Sequence, residues 1–415
     1  MGVLVRPIVP EEAESLSRLL FTAFGETATD EKVKDELEWA EVDRLLCAED
    51  DGRLVGSAGA YTFEMTLPGG AGIPVAGVTW VGVLPTHRRQ GVLTSMMQFQ
   101  LDDIAERGEP VAILTASEAP IYGRFGYGLA SRLWKVKINT QGGLPLLTPP
   151  AVGGRMRMLD VEEAKTVLPP LYDEVRRIRP GELSRPATWW LGHWRDPEHH
   201  RDDASHRFDV VHERGDGTID GYVSYRIKQD WDFSVPRSEV RARDCIATDP
   251  EVQAALLAYL TEIDLTASIT SWNRPVDDPF ALRIADWRRY KVEAVHDHLW
   301  LRILDVPAAL AARRYESGGS IVLAVDDAFR PALSGRYRLD VADDGSATCE
   351  RLGDGDSGDA DLTLGIAALG SLYLGDVSAT QLSRAGRLTP GSDTALTAAD
   401  RIFKTVVPPY CTMGF

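Results

Sequence analysis

Two periodicities alternate along this chain, and the switches between them mark out its elements. Arg6-Pro-Ile-Val-Pro-Glu-Glu-Ala13 opens an amphipathic helix. DDGRLVGSAGAYTF, from Asp50, turns at Asp-Gly and continues with period two, which predicts a hairpin. Much later the same phrasing returns. Arg157-Met-Leu-Asp-Val-Glu-Glu-Ala164 opens a helix, and GDGTIDGYVSYRI, from Gly215, predicts a hairpin with Asp-Gly at its turn and a further glycine inside the strand. Each copy then offers another strand, a helix and a strand, so the simplest reading is one α/β unit written twice.

NTQGGLPLLTPPAVGG, over 139–154, is rich in Gly and Pro and reads as a linker. The second copy runs to about Trp300. Beyond it the pattern changes to a short helix around Val306–Tyr315, the period-two segments SIVLAVDD, GRYRLDVADD, SATCERL and ADLTLGI, and helices over 366–374, 378–385 and 393–403. This predicts a third, smaller α+β domain. The expected domains are 1–135, 136–300 and 301–415. The chain closes on VVPPYCTMGF, apolar enough to be buried, with prolines holding it extended.

Composition narrows the function classes. The apolar fraction is 44% and the charged fraction 26%, which suits globular domains with sizeable cores. No apolar run reaches the ~20 residues of a membrane span, and the start reads as carrying no secretory leader. Arg6 stands where a myristoylation motif needs Ser or Thr. The formal net charge of −17 argues against general nucleic-acid binding and fits a cationic substrate. The 4 cysteines are scattered singly, which supports neither a zinc site nor a disulfide framework and suggests a reducing, cytoplasmic setting.

The chemistry concentrates at VTWVGVLPTHRRQGVLTSMM, residues 78–97. An apolar strand runs into Pro85, then Arg88-Arg89-Gln90-Gly91, then a helix. A helix start presents unpaired N–H groups and partial positive charge. Gly91 removes a side chain where backbone must approach a ligand, and two arginines precede it. Together they make a cradle for a pyrophosphate. The bland alternative is a strand-to-helix turn with two solvated arginines. VAILTASE (111–118) and IYGRFGYG (121–128) follow. Tyr122 is either a packing aromatic in a Gly-rich turn or, with a pKa of about 10 before perturbation, an acid able to protonate a thiolate. The second copy lacks the cradle: Asp249-Pro250-Glu251 stands there, and its carboxylates would repel phosphate.

This order resembles the GNAT superfamily of N-acetyltransferases. The resemblance implies that Val81–Val83 (Val81, Gly82, Val83), Arg88, Arg89, Gln90, Gly91, Val92, Leu93, Thr94, Ser117 and Glu118 hold acetyl-CoA, its pantetheine arm lying between two splayed strands. Leu93 stands where many members carry Gly or Ala. Across the whole chain the order is similar to the enhanced intracellular survival (Eis) type: tandem GNAT folds, the second degenerate, and a C-terminal sterol-carrier-protein-like α+β domain carrying Asp361-Leu-Thr-Leu-Gly-Ile and Leu369-Gly-Ser-Leu-Tyr-Leu-Gly375. That resemblance implies acetylation of amines, notably aminoglycosides and sometimes lysine side chains, and assembly as a homohexamer. It implies Tyr122 as general acid and the carboxylate of Phe415 as general base. It places the acidic, aromatic amine pocket near Phe24, Glu26 and Trp39. Gly414 stands where members can carry an acid.

Other features carry less. Two adjacent histidines in Trp194–Asp203 lack metal-ligand spacing and read as a solvated loop. His296 and His298 read as packing on one strand face. The acidic stretch Asp354–Leu362 lacks the terminal Glu of a calcium loop and reads as a turn. No metal site is expected. The leading expectation is direct acetyl transfer from acetyl-CoA to an amine. The rivals are a protein-lysine acetyltransferase and a non-catalytic CoA- or lipid-binding protein.

Overall fold

The computed structural model describes residues 3–415 except 354, 355 and 357, so part of the acidic turn at 354–362 lies outside the described residues, as do Met1 and Gly2. The chain forms two compact units. One comprises Met1–Ser131, His298–Val407 and Met413–Phe415; the other comprises Arg132–Asp297 and Pro408–Thr412.

The first unit is built on a seven-stranded sheet, in the order Leu4–Pro7, Leu46–Asp50, Arg53–Thr66, Gly72–Val83, Val111–Thr115, Leu299–Ile303, Gly128–Leu129. Its first hairpin turns at Asp51 and Gly52, both at positive φ (47° and 76°), the pairing a two-residue turn requires. Gly72–Val83 and Val111–Thr115 run parallel. Helix Val92–Glu106 connects them, burying Met96, Met97, Leu101 and Ile104. The same unit holds a five-stranded sheet, in the order Ala347–Arg351, Gly335–Val341, Gly319–Asp326, Leu362–Gly365, Leu388–Pro390. A fully buried ion pair, Arg302 to Asp327 at 2.5 Å, ties the end of the first sheet to this region.

The second unit repeats the design. Its seven-stranded sheet runs Tyr290–Asp297, Arg132–Asn139, Thr266–Pro275, Ser238–Ala247, Ile219–Lys228, Phe208–Glu213, Arg155–Met158. The repeated phrases of the sequence become one repeated device. Arg6 bonds Glu12 at 2.7 Å and Glu49 at 2.8 Å, and Arg157 bonds Glu163 at 2.8 Å and Glu213 at 2.5 Å. In each copy an arginine on the first strand pins the following helix start and the next strand.

The strands at the expected junctions do not follow the order of the chain. Arg132–Asn139, which straddles residue 135, pairs in the second sheet, and Leu299–Ile303 pairs in the first. Period-two patterning marks a strand but not its partner. His296 and His298 consequently do not share a strand face. His296 is exposed on the strand Tyr290–Asp297, whereas His298 is buried in the first unit, its N–H donating to Ser131 O at 2.9 Å. No helix among the described residues is long and apolar enough to cross a membrane.

Candidate active site

The two parallel strands of the first unit part company. They pair at Val75↔Val111, Ala76↔Ala112 and Gly77↔Ile113 and no further. Gly72–Val83 continues for 6 residues past Gly77 without this partner. The backbone of 78–83 therefore turns N–H and C=O groups into the gap, and such groups call for a partner. A bulge marks the same stretch. Ser57 pairs with Gly82 and Gly59 with Thr79, leaving Trp80 and Val81 opposite Ala58, with Trp80 at φ 56°. The hydroxyl of Ser57 donates to Trp80 O at 2.7 Å and fixes the bulge.

At the open end lies the Arg-rich turn. Arg89 and Gly91 are both left-handed (φ 62° and 85°), and Gly91 is the N-cap of helix Val92–Glu106 with no side-chain cap bond. A Cβ on Gly91 would meet nothing within 4 Å, so glycine here answers a backbone requirement and leaves the helix start open to a ligand. The site therefore fits a pyrophosphate. The two arginines differ in their surroundings. Arg88 donates to Ala23 O at 2.7 Å and Val83 O at 3.2 Å, tying the C-terminal end of helix Ala13–Phe24 to the strand end. Arg89 is exposed. Gln90 donates to Thr86 O at 3.0 Å. Val92 is buried, Leu93 half-buried and Thr94 exposed on the helix's first turn.

Beyond Thr115 the chain enters the turn Ala119–Phe125, capped by Glu118, whose carbonyl accepts from Ile121 N at 3.0 Å. Ser117 and Glu118 are exposed. Tyr122 is buried, edge-on to Tyr127 with ring centroids 5.9 Å apart, in a cluster with Ala76, Val78, Ala112 and Leu114 of the two parting strands. Burial, and then the nearby Glu118 carboxylate, push its phenol up to about 12. It is therefore protonated at neutral pH and suited to give a proton.

Phe415 sits at the same divergence. Thr115 Oγ1 donates to an oxygen of Phe415 at 2.6 Å. The Phe415 ring meets Phe63 edge-on at 5.3 Å. A Cβ on Gly77 would come within 2.5 Å of the Phe63 ring and 3.1 Å of the Phe415 ring, so both rings lie over Gly77, the last paired position. Since side chains alternate along a strand, this is the face opposite Ala76 and Val78. In the second unit the preceding residues of the tail are held firmly. Glu182 accepts from Thr412 N (3.1 Å) and Oγ1 (3.0 Å), Arg185 donates to Thr412 Oγ1 (3.0 Å), and Tyr410 N donates to Pro180 O (2.8 Å).

Glu36, Tyr61 and Phe63 were not singled out from the sequence. Tyr61 is buried and its ring lies 5.9 Å from that of Phe63. The Glu36 carboxyl is raised above the usual range, first by burial, with Glu26 adding repulsion. It also raises the Tyr61 phenol, after burial. The three form an acidic, aromatic wall on the Phe415 side. Of the residues expected there, Phe24 is 53% exposed at the end of its helix, Glu26 pairs with Lys32 at 2.9 Å, and Trp39 is half-buried at the end of helix Asp30–Trp39. Strand alternation in SAGAYTF was the only sequence signal for Tyr61 and Phe63.

The equivalent helix start of the second copy is closed. Asp249 caps helix Pro250–Thr261, its carboxylate accepting from Glu251 N at 2.8 Å and Val252 N at 3.0 Å. The N–H groups that would hold a phosphate are already engaged.

Comparison with known proteins agrees with this architecture. Residues 4–130 and 181–303 match acetyltransferase (GNAT) domain families, and 306–412 match the sterol carrier protein domain family. An uncharacterized N-acetyltransferase of Streptomyces avermitilis is 41% identical over 401 residues, 95% of each chain. N-acetyltransferase Eis of Mycobacterium tuberculosis is 33% identical over 376 residues, 87% of this chain and 86% of its own. The crystal structure of Eis1 from Mycobacterium abscessus superposes with a TM-score of 0.86 at 34% identity over the whole of both chains. A GCN5-related N-acetyltransferase from Anabaena variabilis shares the fold, with a TM-score of 0.85 at 21% identity over the whole of both chains.

Proposed function

The chain belongs to the Eis-type N-acetyltransferases of the GNAT superfamily, and from that premise we propose that it transfers acetyl from acetyl-CoA to a primary amine of a cationic, aminoglycoside-like polyamine. The observation that carries this reading is the parting of two parallel strands beside an uncapped helix start, with Tyr122 and Phe415 both at the divergence.

The helix start at Gly91, with Arg89 and the neighbouring Arg88 and Gln90, receives the pyrophosphate. The open edge of 78–83 receives the pantetheine arm, its amides pairing with strand backbone. Ser117 and Glu118 border the same gap. The amine approaches on the aromatic side, where Glu36, Tyr61 and Phe63 attract and desolvate a cation, with Phe24, Glu26 and Trp39 at the rim.

Transfer is direct. The reacting amine arrives neutral; as its nitrogen attacks the thioester carbonyl it loses a proton to the Phe415 carboxylate, straight or through a water. The C–N bond forms, the C–S bond breaks, and the departing thiolate takes the Tyr122 proton. The proton on the carboxylate returns to solvent and the phenol is reprotonated from it. Assembly as a homohexamer is part of the same proposal, and light scattering tests it.

The direct experiment mixes protein, acetyl-CoA and a panel of polyamines, aminoglycosides and lysine peptides, and follows free thiol. Acceptor-dependent thiol release with the polycations is expected. No release with any amine would overturn the reading, and release with peptides alone would reassign the acceptor.

A further inference from the structure

The second unit carries a cavity that the reaction does not use. It has a volume of about 150 Å³ and lies beside the strands Ile219–Lys228 and Ser238–Ala247. Arg207, Arg226, Arg241, Arg243 and Trp272 line it, with Arg201, and Asp202 is the one acid among its walls. Five guanidinium groups around so small a space are conspicuous in a chain of formal net charge −17.

Three of the five are neutralised locally. Arg226 and Arg201 pair with Asp196. Arg241 bonds Asp202 at 2.7 Å and Glu239 at 3.0 Å. The other two are not paired directly, although the charges of Asp209 and Asp244 act on Arg207 and those of Asp244 and Asp196 on Arg243. Arg207 donates to His193 O at 3.0 Å and forms no ion pair among the described residues. Arg243 is exposed and makes no hydrogen bond or ion pair among the described residues. Burial first, and then the charge of Arg243, lower Arg207 to about 10. Arg243 is also the extra residue of a bulge, since Ser224 pairs with Asp244 and Tyr225 with Ala242. Bulges re-aim side chains, and this one turns a cation towards others without an ion-pair partner of its own among the described residues.

We propose that this cavity binds a phosphate group, gripped by Arg207 and Arg243. A guanidinium fork matches the spacing of phosphate oxygens, and a doubly charged anion offsets two like charges at once. The volume falls below the roughly 300–1,000 Å³ of pockets that enclose whole drug-sized ligands. The site therefore takes free phosphate, or the terminal phosphate of a larger molecule whose remainder lies outside against Trp272. It is separate from the helix start at Pro250, which Asp249 closes.

Calorimetric titration of the full chain with inorganic phosphate, and separately with ATP, in chloride buffer at constant ionic strength tests this. The first copy's cradle is controlled with Arg89→Gln. A phosphate site retained in Arg89→Gln and weakened at least tenfold in Arg243→Gln is expected, with Arg243→Lys intermediate. Binding of ATP as well, with the same dependence on Arg243, would identify a phosphorylated metabolite, and phosphate alone a free ion. Arg243 is exposed, so Arg243→Gln should melt at or above the wild-type temperature without phosphate and keep its KM for acetyl-CoA. No heat in the wild type, or binding lost in Arg89→Gln and unchanged in Arg243→Gln, overturns the proposal.

Discussion

Thr115 Oγ1 donates a 2.6 Å hydrogen bond to an oxygen of Phe415, 300 residues further along the chain. Thr115 ends the strand whose divergence opens the site. A donor at that distance orients the chain end and favours its ionised form. Thr115→Val keeps the shape and removes the donor. A hydrogen bond to a charged group is worth about 1.5–3 kcal/mol, so kcat should fall about tenfold or more while KM for acetyl-CoA changes little. Thr115→Ser should restore most of the rate. Unchanged turnover in the valine variant would show that the bond does not serve catalysis.

The chain end itself is tested by lengthening it. Adding Gly-Ser after Phe415 leaves the ring over Gly77 but replaces the carboxylate with an amide. Loss of a positioned base costs about 10²–10⁴-fold. Turnover should drop by that order, with acetyl-CoA affinity by calorimetry within a few-fold of wild type. Equal loss in both measurements would point to a structural role for the tail instead.

Tyr122→Phe removes the phenol and keeps the ring packed against Tyr127. The expected fall in kcat is again about 10²–10⁴-fold. The pH profile adds a second readout. Because burial pushes this phenol up to about 12, the acid form persists throughout the neutral and mildly alkaline range. No decline in kcat from this group should appear near the ordinary tyrosine value of about 10. A descending limb there, absent in Tyr122→Phe, would contradict the burial argument.

Much of this architecture was legible in the sequence, because it depends on local patterning. The Arg6 and Arg157 phrases, the Asp-Gly turns and the third domain's strands and helices follow from periodicity and turn chemistry. The strand-turn-helix that carries the Arg-Arg-Gln-Gly turn was legible too, from the apolar strand and the helix that flank it, as was the acidic helix start at Asp249 in the second copy. What sequence patterning cannot assign is the partner of a strand. Hence Arg132–Asn139 and Leu299–Ile303 lie in sheets that their positions in the chain do not suggest. The wall of Glu36, Tyr61 and Phe63 was hidden for a similar reason. Tyr61 and Phe63 read as ordinary strand alternation, and Glu36 is one acid among several in DEKVKDELEW. Only the Phe63 ring meeting that of Phe415 over Gly77, with Tyr61 beside it, sets these two apart.

Glu36 offers a test of how the cation is recognised. Its carboxyl is raised above the usual range, chiefly by burial, and Glu26 adds to the effect. In the unfolded chain the group ionises near the ordinary value of about 4.3. Stability is therefore reduced as pH rises from that value, and the penalty is complete above the raised folded value. Glu36→Gln removes the penalty, so the variant should melt higher than wild type at neutral pH and alike at pH values below about 4. Acceptor binding should change in the opposite sense. A bound ammonium group offsets the buried negative charge, so wild-type affinity for a polyamine should strengthen as pH rises through Glu36's titration while the amine stays charged. In Glu36→Gln that pH dependence should vanish and KM for the polyamine should rise about tenfold, equivalent to about 1.4 kcal/mol. KM for acetyl-CoA should stay constant, since the cradle proposed for it is the Arg89–Gly91 turn. A variant that gains thermal stability yet keeps the wild-type polyamine KM across the pH range would place the cation elsewhere.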